Sequence, residues 1–126
     1  RIFIRKKCAM DPKLIKNRIK MIVKEVMKKV HRKDYKGVEG VVDEIKIGIE
    51  DFISTMVCIE EMLDSEDCID EVTDDAEIII YELVEGVHYR AAYRLTLYGD
   101  ELFITMEFEF FITETGMRSI LQGINV

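Results

Sequence analysis

Two neighbouring stretches decide the fold: Val87-His88-Tyr89-Arg90-Ala91-Ala92-Tyr93-Arg94-Leu95-Thr96-Leu97-Tyr98 and, after Gly99-Asp100, Leu102-Phe103-Ile104-Thr105-Met106-Glu107-Phe108-Glu109-Phe110-Phe111-Ile112. Apolar residues recur at every second position, the side-chain period of a strand with one buried face. Val87, Tyr89, Ala91, Tyr93, Leu95 and Leu97 share the core face of the first strand, opposite His88, Arg90, Ala92, Arg94, Thr96 and Tyr98. In the second strand Leu102, Ile104, Met106, Phe108, Phe110 and Ile112 turn inward, while Phe103, Thr105, Glu107, Glu109 and Phe111 point away. A two-residue turn at Gly99-Asp100 places Arg90 opposite Glu109 and Ala92 opposite Glu107, with Arg94 diagonal to Glu107. Such cross-strand pairs contribute about 0.2–1 kcal/mol each.

Outward from this pair, alternation extends over 76–84, joined by a turn at Glu85-Gly86, and over 117–126, joined by Glu114-Thr115-Gly116. The links are short, so the four strands are expected to form an antiparallel meander in chain order. Upstream of residue 76 the period is 3.6. Asp11-Pro12 is a helix start, Asp as N-cap and Pro at the first position. Ile15, Ile19, Ile22, Val26 and Val30, widened by Leu14, Val23 and Met27, form the stripe of a core-facing helix over 12–33. Val38, Val41, Val42 and Ile45 suggest a short second helix, and 44–49 also reads as a strand. Asp51 is placed to cap a third helix with Phe52, Met56, Ile59 and Leu63 on one stripe. The acidic run Asp64 to Asp75 reads as a solvated connector. The expectation is an α+β fold: N-terminal helices packed on a curved antiparallel meander, one domain over 10–126 preceded by a basic extension or expression remnant over 1–9.

The 126 residues carry a net charge of −7, divided unevenly. Residues 1–36 hold 14 of the 18 Lys and Arg, and residues 37–126 hold 22 of the 25 Asp and Glu. Such a division suits a charged partner, or a basic helix lying across an acidic body. Lys13, Lys16, Lys20, Lys24 and Lys28 form a basic strip without interleaved aromatics, and the protein is acidic overall, so nucleic acid is disfavoured as a ligand. No apolar run reaches the roughly 18 residues of a membrane span, and no signal-peptide core is present, which points to a cytoplasmic protein. Cys8, Cys58 and Cys68 are odd in number and lack a CxxC pair, as reduced thiols would. The acidic run lacks the glycine and spacing of a calcium loop, so neither metal nor cofactor is called for.

The element order, helix, short helix, short strand, helix and meander, resembles the nuclear transport factor 2-like, or cystatin-like, superfamily from Met10 to the end of the chain. Arg32-Lys33-Asp34-Tyr35-Lys36-Gly37-Val38 is similar to the turn that follows the first helix there. Asp100-Glu101-Leu102-Phe103-Ile104 and Gly123-Ile124-Asn125-Val126 are similar to segments of uncharacterised bacterial members. The resemblance implies a cone enclosed by sheet and helices, with enzymes and binding proteins alike among its bearers.

Glu82, Tyr89 and Tyr93 are the candidate groups for acid–base chemistry inside such a cone, with Asp34 and Tyr35 at its rim. They would serve a small-molecule isomerase, dehydratase or hydrolase. Core packing accounts equally for the tyrosines. His31 reads as a helix-end cation and His88 as an outer-face residue. The outer face, with Arg90, Arg94, Tyr98, Phe103, Glu107, Glu109 and Phe111, is a mixed aromatic and charged surface suited to a homodimer. Without a legible catalytic set, the leading expectation is a non-catalytic domain binding a protein or a small ligand. A basic protein partner suits its acidic body, in the manner of small immunity proteins that mask nuclease toxins.

Overall fold

The computed structural model describes residues 10–64 and 66–125. The extension over 1–9, Cys8 and the last residue of the expected final strand lie outside the described residues. The elements are α1 (Pro12–His31), a 3-10 turn (Lys36–Gly40), β1 (Glu44–Ile45), α2 (Ile49–Met62), β2 (Ile79–Val84), β3 (His88–Leu97), β4 (Asp100–Thr113) and β5 (Gly116–Asn125). They give an α+β fold with one five-stranded sheet in the order β1-β5-β4-β3-β2. The meander from β2 to β5 is antiparallel, as its short links require. The sheet as a whole is mixed, because β1 adds to the β5 edge in parallel.

α1 begins as its sequence dictates: the Asp11 carboxylate accepts the Lys13 N–H at 2.8 Å, and Pro12 follows. Ile15, Ile19, Val23, Val26, Met27 and Val30 are buried along one stripe. Leu14, expected to widen it, is 52% exposed.

The expected second helix is only the 3-10 turn, since Gly37 and Gly40 bracket too few residues to sustain α-helical bonds. Val38 alone of that turn is buried. The expected strand over 44–49 shrinks to Glu44 and Ile45, ending in a bend at Gly48, whose φ of 87° suits a residue without a side chain. α2 therefore starts two residues before Asp51, which with Glu50 occupies the first turn and favours the helix dipole. β2 starts at Ile79 rather than at 76. The Asp43 carboxylate holds β1 against β5, accepting the Ser119 N–H at 2.7 Å and the Ser119 hydroxyl at 3.2 Å.

The β3–β4 register matches expectation by a different route. The turn is Tyr98-Gly99, both with positive φ as a type I′ hairpin demands, one residue earlier than expected. β4 then bulges, so that Leu102, Phe103 and Ile104 lie against Leu95 alone, between the pairs Thr96–Glu101 and Arg94–Thr105. The two displacements cancel, and Arg90 faces Glu109 while Ala92 faces Glu107.

The helices cover the inner face of the sheet, and α1 and α2 enter one buried cluster with Tyr89, Ala91, Tyr93, Leu95, Met106, Phe108 and Phe110. Phe108 is wholly buried, whereas Phe103, on the opposite face of the same strand, is 87% exposed. Replacing Phe108 by Ala is expected to cost about 3–5 kcal/mol by opening a cavity. Phe103→Ala should stay within about 0.5 kcal/mol. Urea denaturation of the two variants checks the assignment of faces.

Candidate functional site

Of the three inner-face candidates, two meet. Glu82 lies opposite Tyr89 in the β2–β3 ladder, and the Tyr89 hydroxyl donates to its carboxylate at 2.7 Å. The same carboxylate accepts the Gly86 N–H at 3.0 Å, closing the hairpin. These bonds, with Tyr89 foremost, lower the Glu82 pKa. Burial and the Glu82 contact push Tyr89 up to about 12. The two contacts tie β2, β3 and the turn between them together. Tyr93 is 3% exposed, and burial raises its pKa. Tyr35, expected at the rim, is buried and donates its hydroxyl to Glu60, while exposed Asp34 accepts the Gly37 N–H.

The histidines have defined partners. His31 is more than a helix-end cation: its Nδ1 donates to the Ile69 carbonyl at 2.8 Å. His88 lies on the outer face, stacked on Phe111 with ring centres 4.3 Å apart, and donates Nε2–H to Glu109 at 2.8 Å. Glu109 is thereby taken by His88, although Arg90 stands opposite it. Arg94 pairs with Glu101 at 2.9 Å rather than with its diagonal neighbour Glu107, which accepts from the Asn125 amide. The Arg90 Nε is buried with no hydrogen-bond partner among the described residues.

On the outer face, then, Arg90, Arg94 and Arg118 stand with His88 among the carboxylates of Glu101, Glu107 and Glu109. Phe103 lies within the β4 bulge and is 87% exposed. Tyr98, in the left-handed turn, is 73% exposed, with its hydroxyl donating to Asp67 at 2.6 Å. Tyr81 of β2, level with Arg90, is 50% exposed. A cleft of about 540 Å³ adjoins Arg90, lined also by Glu107, Gln122 and Asn125. Another of about 740 Å³ lies where the connector passes Ala92, Arg94 and Thr105.

That connector is less solvated than its composition suggests. Ile69 is buried, and the Asp70 N–H donates to the Thr96 carbonyl at 2.9 Å. The Asp70 carboxylate accepts from the Thr96 hydroxyl, the Tyr98 N–H and the Gly99 N–H at 2.8, 3.1 and 2.9 Å. Sequence reasoning misses this staple because its partners lie 26 to 29 residues away. The basic strip of α1 is partly answered by acids, Lys24 meeting Asp74 at 3.9 Å and Lys28 meeting Glu25 at 3.2 Å.

Cys58 and Cys68 are free. Among the described residues no cluster of His, Cys, Asp or Glu is arranged to hold a metal ion, and no helix is long and apolar enough to cross a membrane. Comparison with protein-family models, curated proteins and solved structures found no match to this chain.

Burial works to raise the Asp70 pKa, but bonds from Gly99, Thr96 and Tyr98, with His31 nearby, outweigh it and lower the pKa. A carboxylate held low stabilises the fold above its unfolded pKa, near 4, and loses that contribution as pH falls through the folded value. Asp70→Asn is therefore expected to lower the melting temperature at pH 7, with the gap to the unaltered protein narrowing below about pH 4. Thermal denaturation across pH 2 to 7 measures it, and a gap constant over that range would contradict the staple.

Proposed function

We propose that this chain is a non-catalytic protein-interaction domain that associates with a second copy of itself through the outer face of its sheet. The observation that carries the reading is the presence on one face of Phe103, 87% exposed at a bulge, and of Arg90, whose buried Nε lacks a partner among the described residues. Aromatic residues and arginine are the side chains that most often dominate binding energy at interfaces. The mixed signs across the face favour self-association, because a two-fold interface sets each patch against its own copy and needs charges of both kinds.

Two further features support binding over catalysis. Between helices and sheet the side chains of Tyr89, Phe52, Phe108, Phe110 and Met56 are fully buried. Neither Glu82 nor Tyr89 is tuned toward neutral pH. The helix-then-meander order supports membership of the nuclear transport factor 2-like superfamily as the accompanying proposal on ancestry, with the 3-10 turn standing where a short helix is expected.

Sedimentation velocity over a micromolar concentration series tests the reading. The unaltered protein is expected to sediment as a dimer, with Phe103→Asp and Arg90→Ala each weakening association roughly tenfold or more. A protein that stays monomeric throughout the series, or a dimer indifferent to both substitutions, would refute it.

A further inference from the structure

The geometry points to a second interaction site, beside the outer face: the free edge of β2, which we infer receives an extended segment of a partner protein in which Lys or Arg alternates with apolar residues. Among the described residues β2 is the last strand of its sheet.

Its unpaired backbone groups follow from the hydrogen bonds of β3. The Thr96 carbonyl accepts from Asp70 on the β2 side, and the Val87 carbonyl accepts from Ile112 on the β4 side. Backbone groups alternate along a strand, so even-numbered residues of β3 face β2. Ile79 and Tyr81, opposite Ala92 and Arg90, consequently bond into the sheet. Ile80 and Glu82 direct their N–H and C=O groups outward.

Proteins usually blunt such an edge with lysine, proline or a cover. β2, with the sequence IIYELV, has neither residue. Its side chains Ile79, Tyr81, Leu83 and Val84 are between 41% and 52% exposed. The strand therefore offers both backbone bonds and apolar contacts, the two components of strand addition.

Charge selects the occupant. Glu77, Glu82 and Glu85 lie on or beside the strand, and Asp74 and Asp75 precede it. Lys16 of α1 lies near enough to Glu82 to contribute to lowering its pKa, leaving the edge acidic as a whole. A second copy would bring the same carboxylates to this edge, whereas a strand bearing Lys or Arg sets opposite charges across it.

The test uses a fluorescein-labelled heptapeptide of alternating lysine and valine, measured by anisotropy at low salt. Saturable binding is expected. N-methylation of two adjacent central residues, which blocks both edges of the peptide without altering its charge, should weaken binding at least tenfold, as should glutamate in place of lysine. The paired substitution Glu77→Lys and Glu85→Lys should weaken it similarly. In hydrogen exchange on the unaltered protein, the peptide should slow the Ile80 and Glu82 amides and leave those of Ile79 and Tyr81 unchanged. Absence of saturable binding, equal affinity for the N-methylated peptide, or no protection at Ile80 and Glu82 would each overturn the proposal. Because these readouts use the unaltered protein, they stand even if the charge-reversed variant fails to fold, and because they report backbone pairing at Ile80 and Glu82 they are distinguishable from dimerisation through the outer face.

Discussion

The fold rests on the burial of one stripe of α1 against the inner face of the sheet. Ile15, Ile19, Val23, Val26 and Met27 are fully buried in the same cluster as Tyr89, Ala91, Leu95, Met106, Phe108 and Phe110. Each fully buried side chain of this kind contributes roughly 1.5–3 kcal/mol relative to exposure, far above what surface ion pairs such as Lys24–Asp74 supply. Once that face is covered, period-2 alternation fixes what remains on the other. Strand register thus links core packing to the surface proposed for recognition: a one-residue slip would exchange the Phe108 and Glu109 faces.

The same constraint shapes the charge. α1 spends its apolar stripe inward and so presents its lysines outward, where several meet acids of the body or of the helix itself. Other carboxylates gather on the connector, along β2 and on the outer face. They are structural where they meet backbone donors, as Asp70 and Asp43 do, and they set the electrostatic character of the β2 edge where they do not.

Much of this was legible from residue order. The change of period after the acidic connector, the two faces of β3 and β4, and the Asp11-Pro12 start were readable because they depend on neighbours in sequence, although β2 begins at Ile79 and not at residue 76. What escaped was non-local. Asp70 stapling the Tyr98-Gly99 turn, Asp43 clamping Ser119, and β1 joining β5 in parallel each require partners 26 or more residues apart. The Arg90–Glu109 register was read correctly although the turn and the bulge were not, since their displacements cancel. Phe103, expected on the outer face, lies there within the bulge, among the three residues of β4 that face Leu95 alone. Glu82, read as an inner-face acid, also accepts the Gly86 N–H, a contact that its place near the turn makes and that alternation does not reveal.

The central claim is that the inner face is consumed by packing and the outer face is the one that recognises a second copy. An isotope-filtered NOE experiment on a mixture of labelled and unlabelled protein addresses it directly. Intermolecular contacts are predicted from the Phe103, Tyr98 and Tyr81 rings to outer-face protons of the other copy, with none involving Phe108 or Phe110. Intermolecular contacts confined to the helices, or none at concentrations where sedimentation detects a dimer, would contradict the account.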